Sequence, residues 1–248
     1  ASKKSKKLGS DLAIVAGDIV YALAIDAFLT IDENPWRKEK ALKYFVQTAA
    51  LTAMGEFIDI IHGFEKVQHI EERDVFLNYS LKTARYTFEC PLMIGAILAD
   101  APQKDLKTLS AIGLAIGQGF QIQDDLIGIF STEKEIGKSI LSDLTEFKKT
   151  ILVCHAYHTL QGTKKKEFMN LFQKPKKTYR DLIKIRHIFI AAGSLSYSLQ
   201  KTKSLLRQSR QALDTLTIKP AFKKLLWQAL ELLFQPTRDL AQTHKNIF

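Results

Sequence analysis

Gly117 to Phe130 reads GQGFQIQDDLIGIF and lies within Lys104 to Phe130, a long and largely apolar segment of the chain. Its apolar residues recur at helical rather than alternating spacing, which predicts a long buried helix and, with it, a helical protein. Gln121, Asp124, Asp125 and Gly128 fall at offsets of 0, 3, 4 and 7, so they share one face of that helix. An amide and two carboxylates therefore point together into whatever the face lines. Adjacent carboxylates in apolar surroundings repel each other and lose hydration, a cost of several kcal/mol unless a cation or donors compensate. A hard divalent cation is a natural compensator. Mg²⁺ is commonly held by one or two carboxylates, with waters and substrate phosphates completing its shell. A single pair of this kind equally suits a solvated helix surface or an ion pair with lysine.

Outward from this stretch the helical pattern repeats. SDLAIVAGDIVYALAIDAFL, with Ser10 or Asp11 as N-cap, predicts a mostly buried helix. Asn34-Pro35 punctuates, and further patterns run from about Trp36 to His62 and from Glu72 to Ala99, the latter kinked at Pro91. Beyond Phe130, Ser131 to Ser142 reads as a loop and Asp143 to about Leu160 as a helix. Pro175 splits the next segment, and Gly193 to Leu216 and Lys219 to Phe234 supply two amphipathic helices. No strand alternation is sustained and no internal repeat is present. The 12 glycines and 6 prolines among 248 residues are too few for a turn-dense sandwich or barrel. The reading is an all-α bundle in one domain.

Composition is that of an ordinary globular chain, 46% hydrophobic and 25% charged. The net charge of +10 raises polyanions as partners, but it is local: residues 1–7 carry +4, residues 164–187 carry +7, and the remainder −1. Cys90 and Cys154 cannot build a disulfide framework and have no metal-ligand spacing, so a reducing cytoplasm is expected. No uninterrupted apolar stretch reaches the roughly 18 residues of a membrane span. The N-terminus has no signal-peptide core, and the absence of an initial Met suits a chain that begins partway through a longer protein.

Other polar residues sit beside apolar runs. Lys138, Lys148 and Lys149 follow the acidic helix across a polar loop, and lysines beside an acidic metal site suit a diphosphate. Lys82, Thr83 and Tyr86 open a helix that becomes wholly apolar, an arrangement that also fits an amphipathic boundary. Glu56 and Asp59 lie three apart among apolar neighbours and need partners. His155 and His158 share a helical face with no third ligand nearby, which favours an ordinary packed or surface role.

Taken in order, these pieces resemble the trans-prenyl diphosphate synthases, the family of farnesyl and geranylgeranyl diphosphate synthases. Gly17-Asp18 ends an Ala-rich stretch similar to the family's. Gly55 to Asp59 resembles its Gly-Gln-x-x-Asp segment with Glu56 in the Gln place. Lys82-Thr83 matches its Lys-Thr pair, and Phe120-Gln121 with Asp124-Asp125 matches its second aspartate-rich motif. Gly137-Lys138, Asp143 and Lys148-Lys149-Thr150 match the segment that follows. The resemblance covers nearly the whole chain. It implies an isoprenoid-synthase-like bundle of long, mostly antiparallel helices around a central cavity, formed by one domain over residues 1–248 that lacks its N-terminal helices.

It also implies Mg²⁺ held directly by Asp124, with Asp125 supporting through metal-bound water. Lys82, Lys138 and Lys148 would hold an allylic diphosphate, and Thr83 and Gln121 would aim oxygens at the carbocation formed as diphosphate leaves. Isopentenyl diphosphate would then add five carbons. The implied assembly is a homodimer, with no nucleic acid and at most weak peripheral membrane contact. Two departures stand out. Gly128 occupies a position where many members carry a third Asp, though some read Asp-Asp-x-x-Gly. No first Asp-Asp-x-x-Asp motif and no Gly-Gly-Lys-x-x-Arg-Pro segment occurs in the 248 residues; in the family these carry the isopentenyl diphosphate site and two of three Mg²⁺ ions. Two alternatives stand beside the enzyme: a non-catalytic partner subunit of a heteromeric synthase, and a basic helical protein that binds anions or membranes. The 164–187 block is expected to be a solvated or weakly membrane-attracted surface, and the 1–7 block the remnant of a loop.

Overall fold

The computed structural model describes residues 3–131 and 148–243; among them every regular element is a helix. Helix α1 spans Lys3–Leu29 and α2 spans Pro35–Phe64. Asn34 caps α2 by accepting from the Trp36 and Arg37 amides at 3.0 and 3.4 Å, and Pro35 occupies the first turn, where its missing donor costs nothing. Glu72–Tyr79 (α3), a π-helical stretch Ser80–Glu89, and Cys90–Leu98 (α4) form one continuous helical run. The widened turns of Ser80–Glu89 lie before Pro91 and contain the Lys82-Thr83 pair. Helix α5 spans Gln103–Phe130. After Thr150 come α6 (Ile151–Thr159), α7 (Gly162–Phe172), α8 (Tyr179–Ala191), α9 (Ser194–Asp214), α10 (Pro220–Leu233) and α11 (Gln235–Thr243). The last was not foreseen, and α6 starts at Ile151 rather than continuing through 148–150, which are not helical.

Helix α5 is the axis of the fold. Leu106, Leu109, Ile112 and Ile116 from its first half join Met93, Ile97, Leu213 and Phe234 in one buried cluster. Ile122, Leu126 and Phe130 from its second half join Ile151, Leu152, Phe168, Leu182, Ile185, Phe189 and Leu195 in another. The π-helical stretch is clasped between α2 and α5 at glycines. A Cβ at Gly55 would stand 2.5 Å from the Lys82 backbone nitrogen, and one at Gly117 would overlap the Ala84 Cα. Only glycine permits backbones to approach this closely.

Three expectations are corrected. Helix α1 begins at Lys3, ahead of the supposed caps Ser10 and Asp11, so the described part of the 1–7 block is helical rather than loop. None of its described residues is buried; Ile14 is 66% exposed and Val20 64%. Packing reaches it from α2, where Phe45 meets Tyr21 and Phe28 with ring centroids 6.0 and 5.1 Å away. Its Lys7–Leu29 portion is also long and apolar enough, by length and composition, to cross a membrane despite its aspartates, as would be the core helix of a soluble protein. Nor is the 164–187 block merely solvated. Lys174 pairs with Asp181 at 2.6 Å, and Arg186 donates from Nε and Nη2 to the Ile129 and Ser131 carbonyls at 2.6 Å, capping the C-terminus of α5. A cation there satisfies carbonyls that the helix leaves orphaned and complements its dipole.

Candidate functional site

The last two turns of α5 carry the acidic pair to the wall of a pocket with about 60 Å³ of free volume. The wall includes Gln121, Asp124, Asp125, Gly128, Lys148 and Thr150, backed by Phe172 and Phe189. The structure thus brings together Gln121, both aspartates and Lys148, as the face pattern and the lysine placement anticipated. Asp124 is exposed, whereas Asp125 is partly buried.

Their surroundings differ sharply. Asp125 Oδ2 accepts a short hydrogen bond from the Tyr79 hydroxyl, and Oδ1 accepts from Gln121 Nε2 at 3.1 Å. The Tyr79 oxygen in turn accepts from the Ile151 amide at 2.9 Å. Burial pushes the Asp125 carboxyl up to about 7, against the hydrogen bonds from Tyr79 and Gln121; the Asp124 charge pushes further up and Lys148 opposes. Burial and the Asp125 charge likewise raise the Tyr79 phenol well above its ordinary range.

Thr83, buried in the clasped π-helical stretch, donates to Gln121 Oε1 at 2.6 Å. Stretches of this kind occur often at functional sites. Lys82, next to it, faces the other way. Its ammonium lies 2.6 Å from Asp59 and 3.2 Å from Glu56, which supplies the partners those two acids required. Burial alone would lower its pKa, but bonding to Asp59 and Glu56 outweighs this and raises it. Asp59 also accepts from Asn78 Nδ2 at 2.8 Å. Lys149 donates to the Gly63 carbonyl at 2.7 Å. Lys138, Gly137 and Asp143 lie outside the described residues.

His155 and His158 hold structural posts. His155 stacks on Tyr197 with centroids 4.3 Å apart and sits 3.1 Å from the Ser194 hydroxyl, and His158 lies 3.3 Å from the Ile70 carbonyl. Sequence reasoning missed Tyr79 and Arg186. Tyr79 lies four residues before Thr83 on the same helical run, and that spacing was its only local signal. Arg186 had none, since the carbonyls it caps lie more than fifty residues away in sequence.

The sequence pattern of the family described as Polyprenyl synthetase matches residues 2–189. The chain belongs to that family. A geranylgeranyl diphosphate synthase of Saccharolobus solfataricus is 32% identical over 235 residues, covering 93% of this chain and 68% of the relative. A short chain isoprenyl diphosphate synthase of Methanocaldococcus jannaschii is 32% identical over 163 residues, covering 66% of this chain and 48% of the relative. The chain thus spans between about half and two thirds of the length of these polyprenyl synthetase relatives. The crystal structure of a geranylgeranyl pyrophosphate synthase from Corynebacterium glutamicum, complexed with isoprenyl diphosphate and magnesium, has the same fold. Its TM-score is 0.82 at 24% identity, over 96% of this chain and 66% of that one.

Among the described residues no three His, Cys, Asp or Glu side chains cluster as a metal cage. The donor set nevertheless fits Mg²⁺, which needs few protein ligands when phosphate oxygens and water supply the others. Asp124 offers an exposed carboxylate at a pocket that also presents Lys148.

Proposed function

We propose that this chain binds an allylic diphosphate at the end of α5 as part of a short-chain prenyl diphosphate synthase, condensing it with isopentenyl diphosphate where a first aspartate motif, absent from these 248 residues, completes the site. The observation that carries the reading is the meeting of Thr83 with Gln121 at 2.6 Å beside a pocket lined by Asp124 and Lys148. Asp124 would hold Mg²⁺, which when bound draws charge off the departing diphosphate. Lys148, which lines the same pocket, would favour the same negative charge. Because the Thr83 proton is committed to Gln121, its oxygen keeps lone pairs for a developing allylic cation. Lys82 would exchange part of its contact with Asp59 and Glu56 for a phosphate oxygen. The apolar rings behind the pocket, Phe172 and Phe189, limit water near a reactive cation.

The apolar surface of α1 and α2 suits a homodimer, and the two buried, unpaired cysteines suit the reducing cytoplasm. The same exposed surface favours one second reading, a subunit that completes its site with a different chain. The test is incubation of the full-length protein, not the 248 residues alone, with Mg²⁺, isopentenyl diphosphate and an allylic diphosphate. A product five carbons longer is expected. Binding of the allylic diphosphate without elongation would transfer the reading to the partner subunit, and failure to bind any diphosphate would overturn both.

A further inference from the structure

The two aspartates look equivalent in sequence, yet the hydrogen bonds around them have a definite sense. A backbone amide can only donate, so the Ile151 N–H fixes the Tyr79 oxygen as its acceptor, 2.9 Å away. The Tyr79 hydroxyl proton is thereby left for Asp125 Oδ2. The other carboxylate oxygen, Oδ1, takes the amide nitrogen of Gln121 at 3.1 Å. Without a proton on Oδ1 that oxygen can only accept, and this decides which way round the Gln121 amide sits. Its Oε1 then faces Thr83 and receives the hydroxyl proton at 2.6 Å. Five groups from the α3–π run, α5 and the start of α6 are linked in one polarised chain. Both oxygens of Asp125 are used within it, whereas Asp124 is exposed to the pocket.

Resting on the proposed function, we infer that the pair is divided: Asp124 alone serves the metal and diphosphate, while Asp125, pinned by Tyr79, is a positioning residue that sets the orientation of Gln121 and Thr83. Tyr79 is the second positioning residue, joining the orienting chain to the segment that carries Lys148. An asparagine at 125 would offer an amide donor to Gln121 and permit the Gln121 amide to reverse. Thr83 would then receive a hydrogen bond, and a lone pair otherwise available to the cation would be spent. Tyr79→Phe would leave one carboxylate oxygen without its donor and free the pair to tilt.

The decisive measurement is calorimetric titration of the protein with inorganic pyrophosphate in the presence of Mg²⁺, for wild type, Asp124→Asn, Asp125→Asn and Tyr79→Phe. Asp124→Asn is expected to weaken binding by about tenfold or more, and the other two to stay within about threefold of wild type. In the condensation assay, Tyr79→Phe is expected to lower kcat by about tenfold with KM for the allylic diphosphate nearly unchanged, because orientation rather than binding is lost. Urea unfolding of Tyr79→Phe, Asp125→Asn and the double variant should give non-additive midpoint shifts, since the two side chains share one bond. Weakening of pyrophosphate binding by Asp125→Asn to the same degree as by Asp124→Asn would overturn the division, as would additive unfolding shifts. If wild type binds no pyrophosphate with Mg²⁺, the diphosphate reading falls, and the unfolding cycle alone still decides whether the Tyr79–Asp125 link exists.

Discussion

Helices α1 and α5 are nearly the same length, 27 and 28 residues, and both are rich in apolar side chains, yet they live in opposite environments. Helix α5 buries thirteen residues and runs through both core clusters; α1 buries none of its described residues. An apolar helix states a demand for cover without naming the cover. In α5 the neighbours meet that demand on nearly all sides, and one polar edge survives because it faces a pocket. In α1 only the side facing α2 is met, and the aspartates at 11, 18 and 26, spaced seven and eight apart, are exposed.

Substituting equivalent positions breaks or sharpens this contrast. Leu126→Ala on α5 removes a fully buried side chain and should cost about 2–5 kcal/mol in a urea melt. Ile19→Ala on α1, where the side chain is 57% exposed, should change the stability of the monomer by no more than about 0.5 kcal/mol. A large loss at Ile19 at high dilution would show that α1 is covered within one chain. At the polar edge of α5 the balance inverts: Asp124→Ala should leave the melt nearly unmoved while lowering turnover by about 10²-fold or more, through loss of charge stabilisation in the transition state. Unchanged turnover would remove Asp124 from the metal role.

Glycines make the same comparison at smaller scale. A methyl at Gly117 meets the Ala84 backbone, so Gly117→Ala should destabilise by about 1–3 kcal/mol. No atom lies within 4 Å of a Cβ at Gly17, and Gly17→Ala should stabilise by up to about 1 kcal/mol through helix propensity alone. Both follow from the denaturation midpoint. The smallest effect concerns His155 on α6, in a layer that α1 has no counterpart to. Burial lowers its pKa below the ordinary 6.5, opposed by the charge of Glu72, which itself is bonded to Lys201 and Tyr197. A lowered value in the folded state gives stability that is complete above the ordinary pKa and fades as pH falls through the folded one. The wild-type Tm should therefore drop more between pH 7 and pH 5 than that of His155→Asn.

The helices were legible because apolar residues at helical spacing are a local signal. So was the convergence of Gln121, Asp124 and Asp125, since offsets of 0, 3 and 4 need only the geometry of one helix. The unequal fates of the two aspartates were not legible. They depend on Tyr79, 46 positions away, and on an amide at the start of α6. The burial of α1 was misjudged for a related reason: periodicity reports which residues are apolar, while exposure depends on what else is present. Arg186 illustrates the same limit from the charged side. In sequence it belongs to a basic run; in the fold it terminates the helix that carries the acidic pair.

The glycine clasp around the π-helical stretch has a consequence for how this protein can change over generations. Where helices meet through side chains, repacking shifts their axes and carries any attached functional group along. At Gly55, Gly113 and Gly117 the backbones themselves meet, and no rotamer stands between them. The separation of Thr83 from Gln121 is therefore set by hard atomic contact rather than by the surrounding side chains. Those surroundings are free to drift, lengthening or shortening the space that the proposed substrate's hydrocarbon tail would occupy, while the Thr83–Gln121 pair stays registered.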